Sequence, residues 1–313
     1  MFGFGKNQIY SIGIDISREG LRLAQLENCG RDIGLVAGCF ENCPETIDIG
    51  SAHWQRWAVA ALQKMVVTKP FRGKSAKVAI PARNVYIESL KMPKSSDNNK
   101  LEDALFSRFK QHIPSSCTRE NTMIKYVPTD QDNVLAIAAD RELINRYLAV
   151  YERAGLDIKA ISVWPEALVQ CYIKFFGRRK SDEHVIVMLL NIEADCSNLV
   201  ICRHTTELFA RSIPIGASAL TDEKAIDRLV LEVTACRRDF ISMYRNAAIS
   251  RLIFLSGPVV ETEVYASIAR QLEVQAQIGD CLIAVEMSDP LCQAMDRRNV
   301  HINWATAFGL SLS

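Results

Sequence analysis

Hydrophobic and polar positions at the start of the chain predict a β-hairpin. Residues 9–16 are almost entirely apolar or small, residues 17–20 are a polar turn ending in glycine, and residues 21–26 alternate between apolar and polar side chains. Residues 32–40 are a third predicted strand, and Ser51 is a predicted N-cap for the helix that follows. The chain therefore opens with strands that lead into a helix.

Helices are predicted where apolar side chains recur every three or four residues. These segments are residues 54–65, 101–109, 141–154, 165–176 and 226–244. Shorter apolar segments, predicted as strands, are residues 77–80, 85–90, 123–127, 134–138 and 158–163. The last of these strands is expected to be buried. Helices alternating with strands indicate an α/β fold.

The predicted hairpin recurs near the middle of the chain. Residues 185–191 are apolar up to their polar end, a turn follows, and residues 199–202 form the second strand. Aligning the two hairpins places Asn191 at the position of Asp15, 176 residues later. This repeat indicates a duplicated α/β unit, with both turns directed into a cleft between two lobes. Backbone N–H groups of such turns can bind phosphates, and a strand-end carboxylate can hold Mg²⁺ through water.

Shifts in composition suggest where the domains begin and end. The basic, polar linker at residues 177–183 is the expected boundary between the lobes. The first lobe is therefore assigned residues 1–176 and the second residues 184–300. A polar, turn-rich segment followed by a helix and strands suggests a small subdomain inserted into lobe one at about residues 91–138.

Composition and charge narrow the class of protein. The chain has 313 residues, of which 49% are hydrophobic and 23% charged, so two globular lobes are expected. A net charge of +1 gives no overall field that favours nucleic acid or an anionic membrane. No apolar run approaches the roughly 18 residues that span a bilayer, and the first eight residues lack signal-peptide features. We expect a cytoplasmic protein that neither binds nucleic acid nor inserts directly into a membrane.

The ten cysteines contain no C-x-x-C pair and lie mostly in apolar segments. They are predicted to be reduced core residues. Cys39 and Cys43 are the closest pair, but no histidine cluster follows them to complete a zinc site. A loop without metal is therefore favoured there.

Several sequence motifs occur in an order that resembles a known family. Gly13-Ile-Asp-Ile-Ser17 is similar to a first phosphate loop, and Arg211-Ser-Ile-Pro-Ile-Gly216 to a strand and turn of the second lobe. The other matching motifs are residues 134–140, 147–156, 161–168, 255–257 and 304–310. Together they resemble the PilM family of cytoplasmic actin-like proteins in type IV pilus assembly, with relatives in mannose-sensitive pilus biogenesis and type II secretion.

The resemblance implies an actin-like two-lobed α/β fold built from duplicated ribonuclease H-like units. It also implies that residues 301–313 form a C-terminal helix that returns to lobe one. ATP with Mg²⁺ would be the cofactor of such a fold, and Asp15 would hold the metal through water if a nucleotide binds. The nucleotide-binding candidates that the resemblance implies are Gly13, Asp15, Ser17, Asn191, Gly216, Ser256 and Gly257.

The chain departs from the family at these nucleotide loops. Asn191 and Glu193 stand where the family's second loop has aspartate and glycine, which places a carboxylate where phosphate would lie. Two like charges ~4 Å apart repel by about 1 kcal/mol in water and about 4 kcal/mol at a dielectric near 20. In the first loop Arg18 is expected to offset part of the charge of Glu19, and in the adenosine-side loop Pro258 has no N–H to donate. We therefore expect a degenerate site, a pseudo-ATPase without a catalytic residue.

The favoured function is that of a structural adaptor. The resemblance implies a PilN-like inner-membrane protein as the partner, whose cytoplasmic tail would dock near residues 91–138, and pilus motor components as further partners. The chain would then lie at the inner membrane through that partner. Phe106 and Phe109 are candidate contacts, although the spacing of Phe109 predicts a core residue.

Two alternatives remain open. An ATP-dependent phosphotransferase or ATPase of the actin and sugar-kinase superfamily would need a cleft carboxylate as base. Asp140 and Asp195 are the nearest, but they are also a predicted helix N-cap and a turn residue. A membrane-anchored actin-like filament protein would need a terminal amphipathic helix, and residues 308–313 have no basic face.

Overall fold

The computed structural model describes residues 8–91, 98–111, 113, 117–287 and 302–313. Cys292 and most of the first eight residues lie outside them. The strands are β1 (Gln8–Ile9), β2 (Ile12–Ile16), β3 (Gly20–Asn28), β4 (Ile33–Asn42), β5 (Ser75–Ala79), β6 (Tyr86–Lys91), β7 (Thr122–Pro128), β8 (Asn133–Asp140), β9 (Asp157–Ser162), β10 (Ile186–Ile192), β11 (Ser197–Arg203), β12 (Thr206–Ile213), β13 (Ile249–Phe254), β14 (Ala276–Ile278) and β15 (Glu286–Met287). The helices are α1 (Ala52–Thr68), α2 (Asn98–Phe109), α3 (Arg141–Arg153), α4 (Trp164–Phe175), α5 (Glu223–Met243), α6 (Thr262–Gln271), α7 (Cys281–Ala284) and α8 (Ala305–Leu312).

Two of the sheets repeat one topology. In the first, the strand order is β15-β4-β3-β2-β5-β9, with β1 paired to β3, and in the second it is β12-β11-β10-β13-β14. In each sheet an antiparallel three-stranded meander is followed by two parallel strands. The hairpin β2–β3 of the first sheet therefore corresponds to β10–β11 of the second, as the sequence repeat predicts.

A third, antiparallel sheet has the order β6-β8-β7. Helix α2 covers one of its faces, where Leu105 and Phe109 are buried against Ile124 and Ala136. The β7–β8 turn reaches the second sheet, because Thr129 Oγ1 lies 2.6 Å from Tyr244 Oη and Asp130 pairs with Arg203. These contacts fix the third sheet to the second half of the molecule.

Local capping signals in the sequence explain several helix ends. Ser51 Oγ accepts a hydrogen bond from the Trp54 N–H at 3.1 Å, which confirms the predicted start of α1. Asp140 Oδ1 accepts one from the Leu143 N–H at 2.8 Å at the start of α3. Gly155, with φ of 78°, adopts the left-handed conformation that follows α3.

Helix α8 packs between β2 and α4 with very close backbone contacts. A Cβ on Gly13 would lie 1.9 Å from the Ala307 carbonyl oxygen, and one on Gly309 would lie 1.8 Å from that of Ala167. Asn303 Nδ2, just before the helix, donates to Asn191 Oδ1 at 2.7 Å. The end of the chain therefore contacts both duplicated hairpins.

The expectation of a buried strand at residues 158–163 is wrong. Strand β9 forms the edge of the first sheet and its side chains are exposed or only half-buried. Its apolar sequence resembles that of an interior strand, but it has a neighbour, β5, on one side only. Among the described residues, no helix is both long and apolar enough to cross a membrane.

Candidate functional site

A buried arginine organises the turn of the first hairpin. Arg22 lies directly opposite Asp15 in the β2–β3 register, and only 1% of its surface is exposed. Its Nη1 donates to Asp15 Oδ2 at 3.2 Å and to Ser17 Oγ at 2.7 Å, while its Nη2 pairs with Glu19. The guanidinium also lies over the Phe40 ring, 5.3 Å from its centre. One cation therefore engages Asp15, Ser17 and Glu19 together.

The turn of the second hairpin holds a carboxyl group that faces this cluster. Glu193 Oε1 accepts hydrogen bonds from Asn191 Nδ2 at 3.2 Å and Asn198 Nδ2 at 3.4 Å. The pKa of Glu193 is raised to about 8, mainly by burial and also by the nearby Asp15 carboxylate, while Arg22 acts in the opposite direction. The Glu193 carboxyl is therefore largely protonated near neutral pH. The charge repulsion expected from its sequence position is correspondingly weakened.

Two adjoining cavities of about 310 Å³ and 940 Å³ lie between the lobes. Arg18, Arg83 and Asp195 line both of them. The larger cavity is lined by four carboxylates and two guanidinium groups. The carboxylates belong to Glu19, Glu45, Asp48 and Asp195, and the guanidinium groups to Arg18 and Arg83. This excess of negative charge opposes the binding of a polyphosphate.

A separate apolar groove of about 670 Å³ lies beside the third sheet. Its walls come from four parts of the chain: the end of β5, the sheet face that α2 leaves open, the region from α3 to α4, and the β11–β12 turn. The apolar lining residues are Ile80, Met123, Val127, Pro128, Ile137, Ala139, Ile144, Ile161 and Val163. Several of them are only partly buried, so the groove presents apolar surface to solvent.

Two edge strands border this groove. Strand β7 is the outer strand of the third sheet and β9 is the outer strand of the first, counted over the described residues. Residues of both strands line the groove, including Met123 and Val127 from β7 and Ile161 from β9. An edge strand offers backbone N–H and C=O groups to an added strand. The groove can therefore accept an extended segment.

Comparison with known proteins assigns the chain to a family. The family model for the type IV pilus assembly protein PilM matches residues 13–228. The chain belongs to the PilM family of type IV pilus assembly proteins. No curated protein sequence gives a significant match.

Solved structures support the same fold. A chain of the PilM–PilN type IV pilus biogenesis complex matches with a TM-score of 0.75 and 18% identity, over 97% of this chain and 98% of that one. A protein of unknown function with an actin-like ATPase fold from Bacteroides thetaiotaomicron matches with a TM-score of 0.51 and 13% identity, over 91% and 96%. The ethanolamine utilization protein EutJ from Carboxydothermus hydrogenoformans gives 0.52 and 11%, over 97% and 89%. The PilM-family chain thus has the actin-like fold that the resemblance implies.

The nucleotide-binding candidates predicted from the sequence lie in three different parts of the structure. Ser17 and Gly216 line the cleft cavities, and Asp15 and Asn191 are buried in the hairpins beside them. Gly13 packs against α8. A Cβ on Gly216 would lie 2.4 Å from the Glu193 carbonyl oxygen, so this glycine lets the loop approach the second hairpin.

The last two candidates, Ser256 and Gly257, belong to a loop that is held by a tyrosine. The Tyr265 hydroxyl lies 3.2 Å from Ser256 Oγ and donates to the Gly257 carbonyl oxygen at 2.5 Å. Neither residue lines the two cleft cavities. These contacts give the loop a structural role within the second lobe.

The sequence analysis did not predict that Arg22 contacts Asp15 and Ser17 beside the cleft of this PilM-family chain. Arg18 is the residue expected to offset part of the charge of Glu19, but the structure pairs Glu19 with Arg22. The register of a hairpin with its turn at residues 17–20 would have placed Arg22 opposite Asp15. That signal was present in the sequence.

Proposed function

We propose that this chain is a cytoplasmic structural adaptor of a type IV pilus or a related secretion machine. It docks the cytoplasmic tail of a PilN-like inner-membrane protein and is held at the inner membrane through that partner. Membership of the PilM family and the likeness to a chain of the PilM–PilN complex support this role. Pilus motor components would be its further partners.

The observation that carries the proposal is the apolar groove between the edge strands β7 and β9. An extended tail added to either strand would gain main-chain hydrogen bonds, and its alternate side chains would enter the groove. The volume of about 670 Å³ is within the range of ligand-binding pockets. The groove lies beside the subdomain near which the tail was expected to dock.

We also propose that the nucleotide site is degenerate. The Arg22 guanidinium already neutralises Asp15 and occupies Ser17 Oγ, so a Mg²⁺ ion on Asp15 would stand beside a second cation. These residues fit Mg²⁺-ATP poorly. For the phosphotransferase alternative, Asp140 is engaged as the N-cap of α3, whereas Asp195 lines both cleft cavities.

Titration with a synthetic peptide tests the adaptor role. The peptide is the cytoplasmic tail of a candidate PilN-like protein, and binding is followed by calorimetry. Val127→Asp places a charge at an exposed groove position and should weaken binding about tenfold or more, because that charge loses solvation when the tail covers it.

Val67→Asp is the matched control. Val67 is 84% exposed on α1 and does not line the groove, so this variant should bind the tail as the wild type does. Failure of the folded wild type to bind the tail at millimolar peptide would contradict the adaptor role. Equal affinity of the wild type and Val127→Asp would contradict docking in the groove.

A further inference from the structure

Two glutamates from different parts of the chain line the apolar groove. Glu166 is in the first turn of α4, where its Oε2 accepts a hydrogen bond from Ser162 Oγ. Glu207 is near the start of β12, in the second half of the molecule. Both line the groove, although they come from different parts of the chain.

The charge of this pair is not balanced by the protein. Within the described part of the chain, neither Glu166 nor Glu207 forms an ion pair with a lysine or arginine. The pKa of Glu207 is raised to about 7, mainly by burial and also by the nearby Glu166 carboxylate. Lys125, an exposed residue of β7, is the cationic side chain among the described lining residues, and it does not pair with either glutamate. Burial and the Glu166 carboxylate therefore both disfavour the charged form of Glu207 in the free protein.

We propose that Glu166 and Glu207 form a subsite for one lysine or arginine side chain of the extended segment that docks in the groove. This proposal rests on the docking function proposed above and specifies the chemistry of the partner. A cation between the two carboxylates would relieve their repulsion, and a guanidinium could bond both at once. Apolar side chains of the same segment would occupy the rest of the groove.

The geometry restricts the sequence of the segment. In an extended strand, alternate side chains point to the same side. The basic residue should therefore be separated by one position from an apolar residue that also enters the groove. A tail that is entirely apolar, or acidic at that position, should bind more weakly.

A double-mutant cycle tests the subsite. The protein variants are Glu207→Gln and Glu166→Gln, and the probes are the tail peptide and versions in which each lysine or arginine is replaced in turn by glutamine. Each protein variant should weaken wild-type peptide binding about tenfold. One peptide replacement should weaken binding to the wild-type protein to a similar extent but have little further effect on Glu207→Gln.

Glu152→Gln is the control, because Glu152 is an exposed residue of α3 that does not line the groove. Its affinity for the tail should be unchanged. Melting temperatures add a readout that separates binding from folding. Glu207→Gln should melt at or above the wild-type temperature, since the charged form of Glu207 is disfavoured in the folded protein.

The outcomes separate the subsite from the docking function. Tight binding of every peptide to both glutamate variants would overturn the subsite and leave groove docking standing. Additive losses, with no coupling to any basic peptide residue, would also overturn it. Absence of wild-type binding would overturn both proposals.

Discussion

Arg22 faces Asp15 across the first hairpin, and its guanidinium donates to the Asp15 carboxylate at 3.2 Å. Asp15 is the residue that the family resemblance would assign to Mg²⁺. The same arginine also binds Ser17 and Glu19 at the turn. The carboxylate that would have to hold Mg²⁺ is therefore already paired with an arginine of the chain itself.

Replacing Arg22 with methionine should destabilise the protein strongly. Arg22→Met would leave Asp15, only 6% exposed, without its ion-pair partner. Breaking a buried pair in this way costs about 3–5 kcal/mol in the free energy of unfolding. Urea denaturation measures the loss.

Lys64→Met provides the comparison for that experiment. It removes an ion pair with Glu41 at 3.0 Å, but Lys64 is largely exposed. Exposed pairs contribute about 0–1 kcal/mol. Equal stability losses in the two variants would contradict the structural role assigned to Arg22.

Millimolar Mg²⁺-ATP should not raise the melting temperature, and the protein should release no phosphate above background. A ligand that binds only the folded state must stabilise it, so the melting temperature reports directly on occupancy. The expectation follows from the Arg22 contacts and from the acidic lining of the larger cleft cavity. A clear upward shift would show that the nucleotide site is intact.

Glu193 should make stability depend on pH. Its pKa rises from an ordinary value of 4.5 to about 8 in the folded protein. A carboxyl whose pKa is raised by folding destabilises the protein progressively as pH rises from about 4.5 to 8. Glu193→Gln should therefore increase the melting temperature more at pH 9 than at pH 5.

Glutamine retains an oxygen that can accept the hydrogen bonds from Asn191 and Asn198, so the variant isolates the charge. The exposed Glu152→Gln change should shift melting by a similar small amount at both pH values. If the gain from Glu193→Gln were the same at pH 5 and pH 9, Glu193 would not be the titrating group.

The fold could be predicted to a large extent because its signals are local. Ser51 and Asp140 are capping residues that act within three positions of their helices, and the hairpin repeat is visible in short apolar segments. The burial of β9 was mispredicted because an edge position depends on which strands pair, and the strand's own sequence does not specify that. Sequence patterns alone cannot supply this information.

The groove was not predictable for a related reason. Ile80, Val127, Ile161 and Glu207 meet there only after three sheets have packed together. The Glu166 and Glu207 pair likewise forms across the two halves of the molecule. The Arg22 contacts, by contrast, could have been inferred from the hairpin register.

Hydrogen exchange with and without the tail peptide tests the docking claim most directly. Strand addition in the groove predicts slower amide exchange in β7, residues 122–128, or in β9, residues 157–162. The exposed edge strand β14, residues 276–278, should exchange at its original rate. Peptide binding without protection in β7 or β9, or with protection confined to β14, would contradict the account.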